Sequence, residues 1–182
     1  MISDIILLSV DILRLKGESM KHIAITCTDY IGYFDKTRHA CRGIVKKDDK
    51  ILLCYKANEN EYVIPGGGLH VHETLEECCQ REVKGETGIV CKPVTYYLEI
   101  EEFYKSKQHV NHYFICEFEK ETNETKLSPI EREVDLKYKW VTIDQAIEIF
   151  SKYKFETTNI QKYSLYKREL TALQELIELT TK

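Results

Sequence analysis

Glu82 and Glu86 stand four residues apart in the run LEECCQREVKGETGI, and on a helix that spacing puts both carboxylates on one face. Two like charges held together at neutral pH destabilise one another unless something positive lies between them, and a hard divalent cation bound through oxygen is the usual answer. Such a cation neutralises pyrophosphate oxygens and lowers the pKa of a bound water, which suits hydrolysis of a diphosphate linkage. Just upstream, Gly66, Gly67 and Gly68 follow Pro65. Backbone without a Cβ can turn tightly there and bring its carbonyls close to a ligand. The elements that must position these groups are legible: Thr74 to Thr87 is rich in Glu and free of Pro and reads as a helix, and Gly88 stands where a C-cap is expected.

The same stretch, GGGLHVHETLEECCQREVKGETGI, resembles the Nudix box, G-x5-E-x7-R-E-U-x-E-E-x-G-U with U a bulky aliphatic residue. Gly67, Glu73, Arg81, Glu82, Val83, Glu86, Gly88 and Ile89 fall in register with it, and Gly85 stands where the first Glu of the E-E pair is expected. The resemblance to the Nudix hydrolase family implies an α/β fold, a mixed sheet between helices. It implies that the Gly66 carbonyl, Glu82 and Glu86 ligate Mg²⁺ or Mn²⁺, that Arg81 orients a carboxylate through charge-assisted hydrogen bonds, and that Glu73 supports the loop. In the family the general base comes either from the box or from a later loop, and Glu131 and Glu133 are the candidates here for that later carboxylate. The segment KKDDKILLCYK…YVIPGGG looks like the approach to a Nudix box, which places Arg42 and Tyr55 near the substrate. The activity implied is metal-dependent cleavage of the pyrophosphate in a nucleoside diphosphate linked to another group. The departure at Gly85 leaves a rival: a Nudix domain with weak or no turnover that binds a nucleotide as a sensor.

The rest of the chain bounds these readings. Its 182 residues suffice for one domain with a substantial core, and its hydrophobic and charged fractions, 43% and 31%, are ordinary for a globular protein. A net charge of −4 gives no electrostatic footprint for nonspecific binding of polymeric nucleic acid, which is therefore not an expected partner; the small nucleotide-type substrate is what the Nudix resemblance implies. Seven cysteines, an odd number with no C-x-x-C, several inside apolar runs, point to reduced and buried thiols and a cytoplasmic protein. Cys78 and Cys79, adjacent on a helix, read as core.

Residues 1–19 carry one apolar run, Ile5 to Val10, too short to span a bilayer and without the basic start of a signal peptide. Lys16-Gly17-Glu18 can be encoded as AAA-GGA-GAA, which resembles a ribosome-binding sequence. The expectation is that 1–19 is an extension upstream of a natural start at Met20, and that 20–182 is the Nudix domain with a C-terminal helix.

From Lys21 the chain reads as strands. His22 to Thr28 is a short apolar run, followed by a loop from Asp29 to Thr37. Ala40 to Lys46 and Ile51 to Lys56 are strands joined at Asp48-Asp49, and Glu61 to Ile64 leads into the glycines. Val94 to Phe103 and Val110 to Glu119 form a hairpin around Lys105 to Gln108, with neither face of the second strand purely polar, so both sides are expected to be covered. Glu119 to Glu133 reads as a loop. Leu136 to Val141 is a strand, and Thr142 caps a helix from Ile143 to about Ser151. In a last helix from Asn159 to Leu179, Ile160, Tyr163, Tyr166, Leu170, Leu173 and Ile177 form an apolar stripe, which either docks on its own domain or makes a homodimer. His70 and His72 lie between the glycines and the first helix and read as exposed loop residues or contacts to substrate phosphate.

Overall fold

A computed structural model describes residues 20–156 and 159–181; the expectation for residues 1–19 falls outside them. The described chain folds into eight strands and four helices: β1 Lys21–Thr26, β2 Lys36–Lys47, β3 Lys50–Lys56, β4 Glu61–Val63, β5 Gly66–Gly68, α1 Leu75–Thr87, β6 Ile89–Tyr104, β7 Lys107–Glu121, α2 Pro129–Glu133, β8 Leu136–Thr142, α3 Ile143–Ser151 and α4 Ile160–Thr181. The strands form one sheet in the order β1-β6-β7-β2-β3-β4, with β5 paired to β2 and β8 to β3. It is mixed, because β1 runs parallel to β6 and β2 parallel to β7 while the other pairs are antiparallel.

Local chemistry accounts for most boundaries. Asp48 takes a φ of 54° in the tight β2–β3 connection, a conformation that short polar side chains tolerate. The β6–β7 hairpin turns at Lys105, whose φ is 50°. Residues 110–116 of β7 are all buried, Asn111 and His112 among them, so this strand is covered on both faces, as expected of a strand with no purely polar face. Three helices open with reciprocal capping boxes: Thr74 with Glu77, Ser128 with Glu131, and Thr142 with Gln145. The second of these corrects the sequence reading, in which 119–133 was a loop. β7 continues to Glu121, and Ser128-Pro129-x-Glu131 nucleates a single turn, α2, with Pro at a position where its missing N–H costs nothing.

Two apolar layers hold the sheet. On one side α1 packs Cys78, Cys79 and Val83 against Cys41, Val45, Leu52, Cys91, Phe114 and Cys116. On the other, α3 and α4 set Ala146, Phe150, Tyr166, Leu170 and Leu173 against Ile44, Leu53, Ile64, Leu98 and Ile100. All seven cysteines are free thiols, and six are buried. The stripe of α4 therefore docks on its own sheet, although its first turn does not take part: Ile160 and Tyr163 are exposed. No helix among the described residues is long and apolar enough to cross a membrane.

Within the α4 layer lies a buried ionic network that apolar periodicity does not register. Arg168 donates to Glu102 at 2.7 Å, to Glu169 at 2.6 Å and to the Tyr113 hydroxyl at 3.0 Å. Asn111 donates to Glu102 at 3.0 Å and accepts from Arg42 Nε at 3.1 Å. Burial alone would raise the Glu102 pKa, but Arg168 outweighs it and holds the carboxyl below its ordinary value. Arg168→Met would leave Glu102 and Glu169 buried without their shared cation, and we expect a loss of about 3–5 kcal/mol in urea unfolding.

Candidate active site

α1 is anchored against β5 by contacts that only glycine permits. Gly66 has a φ of 153°, and a Cβ there would lie 2.2 Å from the Cys41 carbonyl oxygen. At Gly67 a Cβ would come within 2.5 Å of the Glu82 carboxyl carbon. The Gly66 amide donates to Glu86 Oε2 at 2.9 Å, and the Cys54 thiol lies 3.4 Å from the same oxygen. Both carboxylates thus meet the glycine strand, one at each of its first two residues.

Arg81 ties the assembly together. It donates to Glu73 through Nε at 2.6 Å and Nη2 at 2.8 Å, to Glu82 Oε1 at 2.6 Å, and to the Gly68 carbonyl at 2.9 Å. The two-pronged contact with Arg81 brings the Glu73 carboxyl down to about 2, so it remains a carboxylate throughout the physiological range. Glu73 also accepts from the His70 amide at 3.1 Å and so fixes the loop entering the helix.

Beside these groups opens a cavity of about 370 Å³ lined by Arg81, Glu82, Lys84, Gly85, Glu86, Glu124, Lys126 and Glu131. Burial pushes the Glu86 carboxyl up to about 7, against the opposing pull of the Gly66 amide and Arg42, and the neighbouring Glu131 and Glu82 charges add to the rise. Clustered carboxylate oxygens whose charges oppose one another suit a hard divalent cation, so the donor set fits Mg²⁺ or Mn²⁺. Gly85 faces the cavity, and a Cβ there would meet only the Lys126 carbonyl oxygen, 4.0 Å away. The carboxylate missing from the box would therefore have room.

The later-loop candidates separate. Glu131 lies on the cavity wall, one oxygen accepting from the Ser128 amide in the capping box. Glu133 is exposed, lies outside the cavity lining and contributes only its carbonyl, which accepts from Asn58 at 2.7 Å. Glu124 lines the cavity and was missed, because nothing in its polar surroundings distinguishes it from any surface glutamate.

Arg42 and Tyr55 do not line this cavity. Arg42 points to the opposite face of the sheet, where it is buried, donates to the Ile64 carbonyl at 3.1 Å and lies 3.8 Å from Glu169. Tyr55 follows Cys54, whose thiol meets Glu86, so alternation along β3 sends the ring the other way. It packs on Tyr62 with ring centroids 4.6 Å apart and carries Lys139 over its face at 3.9 Å. A larger cavity, about 560 Å³, also lies away from the carboxylates, between the β6–β7 turn and α4, and contains none of the box residues.

The geometry agrees with comparisons to known proteins. A family model described as the NUDIX domain matches residues 37–164. The chain belongs to the Nudix family. Over 56 residues it is 43% identical to the ADP-ribose pyrophosphatase of Methanocaldococcus jannaschii, a match covering 29% of this chain and 33% of that protein. Over 55 residues it is 44% identical to the NAD-capped RNA hydrolase NudC of Vibrio atlanticus, covering 29% of this chain and 20% of that one. The chain thus spans a third or less of the length of these curated relatives. Among solved structures, a UDP-X diphosphatase superposes with a TM-score of 0.55 at 19% identity, covering 81% of this chain and 66% of that one. The E. coli ORF135 protein does so with a TM-score of 0.52 at 16% identity, covering 76% and 91%. At these identities the likenesses show the shared Nudix fold.

Two outcomes follow for the carboxylates. Because the Glu86 pKa is raised on folding, its contribution to metal-free stability is fully present below the ordinary carboxylate value and is lost as pH rises through about 7. A cation held by Glu86 would require its deprotonated form, so the expected outcome is a Mg²⁺ affinity that rises from about pH 6 to about pH 8 with release of a proton, measurable by calorimetry in buffers of different ionisation enthalpy. Gly85→Ala fills open space in a helix interior and raises stability by about 1 kcal/mol in urea unfolding.

Proposed function

We propose that this chain is a metal-dependent pyrophosphohydrolase that cleaves the diphosphate linkage of a nucleoside diphosphate joined to another group. What supports this reading is the convergence of Glu82, Glu86 and Glu131 on one cavity, with Glu86 tethered to the Gly66 amide. Glu82, Glu86 and the Gly66 carbonyl would hold Mg²⁺ or Mn²⁺. That ion, when bound, supplies neutralisation of the pyrophosphate oxygens and a more acidic water.

The remaining work falls to the chain's own groups. Arg81, fully engaged by Glu73, Gly68 and Glu82, is a positioning residue that fixes the Glu82 carboxylate. Glu131 is the candidate to take a proton from the attacking water, since it lines the cavity and only one of its oxygens has a protein hydrogen bond among the described residues. Lys84 and Lys126 at the cavity would attract the anionic substrate. Those relatives and structural neighbours named for ADP-ribose and UDP-linked compounds put such diphosphates first among substrates to try.

Gly85 favours a second reading, a domain that binds a nucleotide and turns it over slowly or not at all, because one carboxylate of the box is absent. Product release from ADP-ribose, UDP-linked sugars and other nucleoside diphosphate derivatives, with Mg²⁺ or Mn²⁺, separates the two. We expect turnover by the wild type, a fall of roughly a hundredfold or more in Glu86→Gln, and tighter metal binding in Gly85→Glu. A wild type without turnover that gains it in Gly85→Glu would establish the binding domain instead.

A further inference from the structure

At the edge of the sheet, on the face that α1 covers elsewhere, three side chains from β1 and β6 come together. The parallel pairing sets His22 beside Glu99, and Glu101 follows two residues later on the same face of β6. One nitrogen of His22 and one oxygen from each glutamate all lie within 4.8 Å of one another. His22 Nε2 is 3.6 Å from Glu99 Oε1 and 3.4 Å from Glu101 Oε2.

These separations exceed those of hydrogen bonds. They match the distance between two ligands of one tetrahedral ion: with metal–donor bonds of about 2.0–2.2 Å, neighbouring donors sit about 3.4 Å apart. The oxygens that turn away from His22 are both engaged. Glu99 Oε2 accepts from the Tyr96 hydroxyl at 3.0 Å, with His112 Nδ1 at 3.3 Å, and Glu101 Oε1 accepts from Gln108 at 3.2 Å. His112 is itself nearly buried and backed by His39, ring nitrogen to ring nitrogen, at 3.0 Å. Each carboxylate is thus fastened through one oxygen by a group outside the trio and presents the other to the same point, as outer partners do around metal ligands. Charge points the same way. Among the described residues no Lys or Arg forms an ion pair with Glu99 or Glu101, and the titratable bases beside these two carboxylates are the imidazoles of His22 and His112. The side chains of His22, Glu99 and Glu101 are 49%, 20% and 23% exposed, which leaves the point open to solvent.

We propose that His22, Glu99 and Glu101 form a second metal site, for Zn²⁺ or a similar first-row transition ion, separate from the oxygen-only donors of the Nudix box. One imidazole nitrogen and two carboxylate oxygens make a three-ligand set with a position left for water. The nitrogen ligand and tetrahedral spacing select against Mg²⁺, which demands octahedral oxygen coordination.

The test uses the full chain carrying Glu82→Gln and Glu86→Gln, so that the box carboxylates do not contribute. Titration with Zn²⁺ by calorimetry should show one equivalent bound, unaffected by excess Mg²⁺, and Co²⁺ should give the visible absorption of a tetrahedral ion. Adding His22→Ala, or separately Glu99→Gln, should weaken Zn²⁺ binding roughly tenfold or more and remove the Co²⁺ bands, with an unchanged urea midpoint for the His22 variant. Absence of Zn²⁺ binding in the parent, equal affinity after His22→Ala, or Co²⁺ spectra with thiolate charge-transfer bands would each overturn the proposal.

Discussion

The close approach of the glycine strand to the first helix is the constraint on which the rest depends. With any side chain at Gly66 or Gly67, the strand could not lie against both the Cys41 carbonyl and the Glu82 carboxyl group. That approach allows a backbone amide to hold Glu86 and brings Arg81 within reach of Gly68. The helix is thereby fixed in rotation as well as in distance: Cys78, Cys79 and Val83 face the sheet while Glu82 and Glu86 face the cavity. Packing and chemistry are opposite faces of the same element, so a shift that disturbed one would misplace the other.

Charge is handled differently in the two halves of the molecule. Around the cavity, carboxylates are left short of cations, and burial with mutual repulsion shows in the raised pKa of Glu86. Under α4, Glu102 and Glu169 are matched by Arg168, and Arg42 joins the network through Asn111. A satisfied network rigidifies and resists change, whereas an uncompensated one is poised to take a ligand. The two lie on opposite faces of β2, linked by Arg42, whose backbone abuts Gly66 and whose field only partly offsets the rise that burial imposes on the Glu86 pKa.

Local readings succeeded where local chemistry decides structure. The limits of α1 and α3 followed from Thr74, Gly88 and Thr142, and the hairpins from Asp48 and Lys105. They failed where the partner lies far along the chain. Three glycines in a row do not read as a strand, yet pairing with residues 40–42 of β2 makes them one. Arg168 and Glu169 look like the polar side of an amphipathic helix and are buried because Glu102 and Tyr113, more than fifty residues away, receive them. The Ser128-Pro129-x-Glu131 signal of α2 was there to be read, and a polar stretch without periodicity concealed it.

What the sequence by itself determined is the family and the placing of two carboxylates: Glu82 and Glu86 four apart, with Gly67, Glu73, Arg81 and Gly88 at fixed spacing, since helical geometry alone puts the carboxylates on one face. Only the tertiary structure decided which other residues share their cavity. Glu131 and Glu124 come to it and Glu133 does not, because the loop after β7 crosses the end of α1, its Lys126 amide bonded to the Gly85 carbonyl at 2.7 Å. It also decided that Arg42 and Tyr55 face the other way, because strand alternation and the register of the sheet assign side chains to faces, and no spacing within a single segment fixes which face meets the helix.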